Sequence, residues 1–87
     1  MENISSDRED TDRGIPETFS DGVLLIGKGK FADAIRLFEE ILRIEPRHVE
    51  ALYQKGVALG LSGKYLDSDA CFDQVLSILP AFSALRN

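Results

Sequence analysis

Apolar residues return along this chain at intervals of three and four. Over 31–45 they are Phe31, Ala34, Ile35, Phe38, Ile41 and Leu42, a spacing that lines them along one side of an α-helix. Asp33 falls in the first turn, where the positive end of the backbone dipole favours an acid. Pro46 stops the helix, since its ring has no N–H to donate and pushes Glu45 out of helical geometry. Upstream, Gly29 closes an earlier helix in the position past the last turn that often needs positive φ, and Pro16 starts that helix with a φ suited to a first turn. The second half uses the same signals. Gly63 ends a helix, Asp67 lies in a first turn, the stripe is Tyr65, Phe72, Val75, Leu76 and Leu79, and Pro80 stops it. The pattern predicts an all-α chain of two antiparallel helix hairpins from Ile15 onward.

The two hairpins are one pattern written twice. "GKFADAIRLFEEILRIEP" at 29–46 returns as "GKYLDSDACFDQVLSILP" at 63–80, each position 34 residues on. Gly22 matches Gly56, Val23 Val57, Leu25 Leu59, Phe38 Phe72, Leu42 Leu76, Ile44 Ile78 and Pro46 Pro80. A helix-turn-helix period of this length resembles the tetratricopeptide repeat, as one unit over 15–48 and a second over 49–82. The resemblance implies that small residues on the paired helices pack together, here Gly22 with Ala34 and Gly56 with Ser68. It also places Phe38 and Phe72 as mid-helix core aromatics and Pro46 and Pro80 as terminators. The chain departs from the family pattern at Thr18 and Leu52, where an early aromatic is usual, at Asp21 and Lys55 in place of leucine, and at Ile41 and Val75 in place of a small residue.

Repetition follows from burial, because one short hairpin cannot cover both of its apolar stripes and the next must do so. Two units leave one face raw, whereas stacked repeats usually number at least about three. Residues 83–87 offer only the start of a capping helix, so the chain is expected either to self-associate through its uncapped helices or to form one end of a longer array.

The resemblance further implies a groove lined by the first helix of each unit, which receives a peptide or a partner's helix. Its residues here are Phe19, Ser20, Val23 and Ile26 from the first repeat, with Glu50, Tyr53, Gln54, Val57 and Leu61 from the second. An apolar stripe of this kind serves core or oligomer contacts as readily as a ligand. The lysines and asparagines with which one chaperone-binding branch of the family grips a C-terminal carboxylate are absent from these positions.

Composition narrows the partners. With 44% hydrophobic and 29% charged residues in 87, the chain fits one small globular domain. Its longest strictly apolar run is Val23 to Ile26, against the roughly 20 residues a spanning helix needs, and "MENISSDRED" has no secretory-signal character. The expectation is a cytoplasmic protein without a membrane partner. A net charge of −5 and no basic stripe also oppose nucleic-acid binding, which draws on lysine and arginine to release counterions. Residues 1–14 hold five acids and two bases with Ile4 as the sole branched aliphatic, and read as a solvated, disordered acidic tail.

Candidate chemistry is sparse. One Cys71 and one His48 make neither a disulfide nor a zinc cage, so no metal or cofactor is expected. His48 reads as a turn residue near a helix start, and Cys71 as a small apolar residue beside a core aromatic. The carboxylates Glu39, Glu40, Asp69 and Asp73 read as outward faces, and "GKGK" at 27–30 lacks the spacing of a phosphate loop. No catalytic residue is identified, and the chain is expected not to be an enzyme. One alternative of another class is an acyl-carrier-like protein modified by phosphopantetheine on Ser68 within "DSD". Against it, the residue after Ser68 is Asp69 and not the leucine of that motif.

Overall fold

The computed structural model describes the backbone of residues 2–79 and the side chains of residues 14–79. The described residues form four helices and no strand: α1 (Glu2–Gly27), α2 (Phe31–Ile44), α3 (Val49–Leu61) and α4 (Tyr65–Ile78). The all-α class expected from the pattern is the one observed. The stop at Pro80 and the capping helix expected over 83–87 lie outside the described residues.

One boundary differs from the expectation. Helix α1 does not start at Pro16 but runs through it, and the acidic segment expected to be a disordered tail carries helical backbone from Glu2. Pro16 forgoes the hydrogen bond that an N–H would give to the Asp12 carbonyl, but one lost bond bends a helix more readily than it ends one. Between Glu2 and Arg13 there is no glycine or proline, and a helix satisfies its own backbone without needing a core to pack on. Low apolar content therefore argued against packing, not against helicity.

The two tight turns are copies of each other. Gly29 has φ +78° and Gly63 φ +90°, values that an L side chain rarely adopts. After α1, the Gly29 N–H reaches the Ile26 carbonyl at 3.0 Å and the Lys30 N–H reaches Leu25 at 2.9 Å. After α3, the Gly63 N–H reaches Gly60 at 3.0 Å and the Lys64 N–H reaches Leu59 at 2.8 Å. This is the Schellman arrangement, which satisfies carbonyls left open at a helix end. The residues that follow also coincide, with φ −93°, ψ 70° at Lys30 and φ −92°, ψ 71° at Lys64. At the far ends, the Glu45 N–H bonds the Ile41 carbonyl at 2.8 Å and the Leu79 N–H bonds Val75 at 3.0 Å. Every partner in one set lies 34 positions from its partner in the other.

Packing repeats as well. A Cβ on Gly22 would lie 2.6 Å from Phe38 Cζ, and one on Gly56 would lie 2.6 Å from Phe72 Cε1. The glycines let α1 and α3 sit directly on the phenyl rings of α2 and α4. In each unit the atoms that an added Cβ would meet first belong to the phenylalanine, Phe38 for Gly22 and Phe72 for Gly56. Gly56 and Ser68 do meet, through a hydrogen bond of 2.7 Å from Ser68 Oγ to the Gly56 carbonyl.

Each helix packs on its chain neighbours; α1 also touches α3, and α2 makes no close backbone approach to α4. The core lies where α1, α2 and α3 meet, around Ala34, Phe38, Ile41 and Ala51. Ile15, Phe19, Leu25, Ile26 and Leu42 close over it. The stripe expected on α4 is not buried to match: Tyr65 is 70% exposed and Leu76 49%, while Phe72 and Val75 are half-buried. Among the described residues, nothing packs on the side of α4 away from α3.

Candidate interaction surfaces

Helix α3 separates two clefts. At about 100° per residue, Tyr53 and Gln54 point to one side of α3, and Lys55 and Leu59 to the other. The first side holds a cleft of about 330 Å³ formed by Phe19, Val49, Glu50, Tyr53, Gln54 and Val75. The structure thus brings together Phe19, Glu50, Tyr53 and Gln54 of the expected groove. It does not bring in the others. Ser20 sits in a separate depression with Pro16, Glu17 and Asp21, and Val23, Ile26, Val57 and Leu61 line neither space.

Two groove residues have structural duties. Phe19 packs edge-on to Phe38, with ring centroids 5.8 Å apart, and lies 6.1 Å from the His48 ring. Ile26 closes the core beside it. Phe19 and Ile26 are therefore half-buried packing residues, and Phe19 lines the cleft as well. Tyr53 repeats the Phe19 contact on Phe72 at 5.6 Å, but the residue is 51% exposed. Sequence reasoning looked for the early aromatic at Thr18 and Leu52. An aromatic stands one residue later in both units, at Phe19 and Tyr53, and their separation of 34 is the signal by which the sequence could have shown the pair.

His48 caps α3, its Nδ1 accepting the Ala51 N–H at 3.0 Å. That satisfies one of the donors left open at a helix start. The ring is thereby placed in the turn between the hairpins, against Phe19.

On the opposite side of α3 lies a larger cleft of about 430 Å³ that the hydrophobic pattern does not predict. Its walls are Ala32, Ile35 and Glu39 of α2, with Asp67, Ala70, Cys71 and Gln74 of α4. Lys55, Leu59 and Lys64 complete it. Lys55 Nζ lies 3.4 Å from Glu39 Oε2 and ties α3 to α2. Cys71 is buried at its edge, and burial pushes its thiol above the ordinary value; Lys55 opposes the shift while Asp67 and Glu39 add to it. A protonated thiol is a poor nucleophile. Ser68, the residue of the carrier-like alternative, is 5% exposed with its hydroxyl committed to Gly56, so it is not presented to a modifying enzyme.

Among the described residues no group of three or more His, Cys, Asp or Glu side chains is placed to hold a metal ion, and no helix is long and apolar enough to cross a membrane. Compared with known proteins, the chain matches no family model, no curated protein and no solved structure.

Proposed function

We propose that this chain is a non-enzymatic protein-protein interaction module of tetratricopeptide-like build, which receives a peptide or a partner's helix along its first helices, α1 and α3. The tetratricopeptide-like reading rests on the recurrence at 34 residues of both turns, both glycine-on-phenylalanine contacts and both aromatic pairs. The observation that carries the binding role is exposed apolar surface on the first helices: Val23 is 39% exposed, Tyr53 51% and Leu61 58%. Apolar and aromatic groups on a rigid helix are costly to leave in water and form the usual anchors of helix-in-groove recognition. A cytoplasmic setting suits a chain with a single unpaired cysteine.

The test is selection of peptides from a displayed random library on the purified chain, followed by titration of the selected peptides against Tyr53→Ala and Leu61→Ser. Anchors of this kind are expected to weaken binding by about 10-fold or more when removed. Failure to select any peptide, or selected peptides indifferent to both substitutions, would count against the groove.

A further inference from the structure

The molecule contains its own example of how an open second helix is covered. Helix α2 has α3 packed on it, and along α2 run Phe31, Ile35, Phe38 and Leu42. Each of these is more buried than its counterpart on α4, respectively Tyr65, Asp69, Phe72 and Leu76. Beside the stripe, Glu39 takes the ammonium of Lys55. On α4 the corresponding acid is Asp73, and Asp69 adds a second carboxylate where α2 has Ile35.

A second copy of this chain does not fit that place. In a head-to-tail stack the helix laid on α4 would be α1, whose residues stand 34 before those of α3. Glu17 would occupy the position of Ala51, which is fully buried, Thr18 that of Leu52, and Asp21 that of Lys55. Asp21 would face Asp73, and an unpaired Glu17 would be driven against Phe72 and Val75. Burying an unpaired carboxylate costs more than the apolar contact returns.

From this complementarity we infer that the open stripe of α4 seats an amphipathic helix of another protein, one that carries an apolar anchor where α3 has Leu52 and a lysine or arginine where α3 has Lys55. The basic residue pairs with Asp73, with Asp69 extending the acidic edge. This surface borders the groove on α1 and α3 at Val75, which lines the cleft there, but the residues that select its occupant, Asp73 and Leu76, lie outside that cleft, and its use does not depend on a peptide in the groove.

The probe is a fluorescein-labelled synthetic peptide of this chain's own residues 48–62, titrated by anisotropy against the full chain. Binding is expected, weakened about 5-fold or more when the protein carries Asp73→Lys or the peptide carries Lys55→Glu, and regained when the two changes meet. Leu76→Glu, at a position 49% exposed, should abolish binding while the protein's helical content and melt stay unchanged, and so shows that the peptide sits on α4 and has not displaced α3. A peptide of residues 14–28 should not bind, and sedimentation equilibrium should return a monomer. Equal binding of the 14–28 peptide, a concentration-dependent dimer sensitive to Leu76→Glu, or binding indifferent to Asp73→Lys would overturn the inference. So would absence of binding to the full chain.

Discussion

The two hairpins share their backbone and differ in their burial. Gly29 and Gly63, Lys30 and Lys64, Phe38 and Phe72, Phe19 and Tyr53 are related by one interval and one geometry. Phe38 is nevertheless completely buried, and Ile41 is 1% exposed, whereas Phe72 and Val75 remain half-buried. The difference lies in what surrounds the residues and not in the residues themselves. Helix α2 is held between α1 and α3, while among the described residues α4 packs on α3 alone. In an array of this kind each unit gains stability from its neighbours as well as from itself, so equivalent residues need not carry equivalent energy.

The sharpest way to break this comparison is truncation of the paired phenylalanines. Phe38→Ala should cost about 3–5 kcal/mol, and Phe72→Ala about 1–3 kcal/mol, because less surface leaves water at the second site and the space can be reached by solvent. Chemical denaturation of both variants measures the gap. Equal losses would mean that α4 is covered in solution as fully as α2.

Filling the glycines sets two effects against each other. Alanine gains about 1 kcal/mol of helix propensity over glycine, but at either site its Cβ collides with a ring at 2.6 Å, and overpacking costs about 1–3 kcal/mol. At Gly22 the ring is Phe38, hemmed in on all sides, so the collision should win and Gly22→Ala should destabilise. At Gly56 the ring is Phe72, which has an open side to move toward, and Gly56→Ala should be near neutral. A Gly56→Ala variant as unstable as Gly22→Ala would show that the second ring is held as tightly as the first.

Gly29→Ala and Gly63→Ala probe what the hairpins share. Both impose a left-handed conformation on a residue with a Cβ, at about 1 kcal/mol each, and no neighbouring atom lies within 4 Å of either added Cβ. Thermal melts of the two variants should coincide. A clear difference would place strain in one turn that the dihedral angles do not reveal.

The smallest expected effect concerns Cys71, whose counterpart Leu37 does not titrate. Burial raises the folded-state pKa of the thiol, so the folded protein holds that proton more firmly than the unfolded chain does. The contribution is fully present below the ordinary thiol range and is lost as pH rises through the raised folded value. Urea melts at rising alkaline pH should show a decline in stability that Cys71→Ala reduces. An unchanged decline in that variant would assign it to other groups.

The helices and turns were legible in the sequence because their causes are local. Positive φ calls for Gly29 and Gly63, Pro46 cannot continue a helix, and the spacing of Ala34, Phe38 and Ile41 fixes one face. The start of α1 was misjudged because acidic composition speaks to packing and leaves helicity open. Of the candidate groove, Phe19, Glu50, Tyr53 and Gln54 meet at a common cleft, while Phe19 and Ile26 also pack against the core. The larger cleft between α2 and α4 left no trace in the pattern, since its walls come from helices that are distant in sequence and make no close backbone approach to one another.

By itself, then, the order of residues determined the helix pairs, their interval and the residues able to turn toward a core. Only the assembled chain decided which of those residues are covered. That choice depends on whether another helix lies across them, a property of neighbours in space: α3 supplies it for Phe38, and no described residue supplies it for Tyr65 and Leu76.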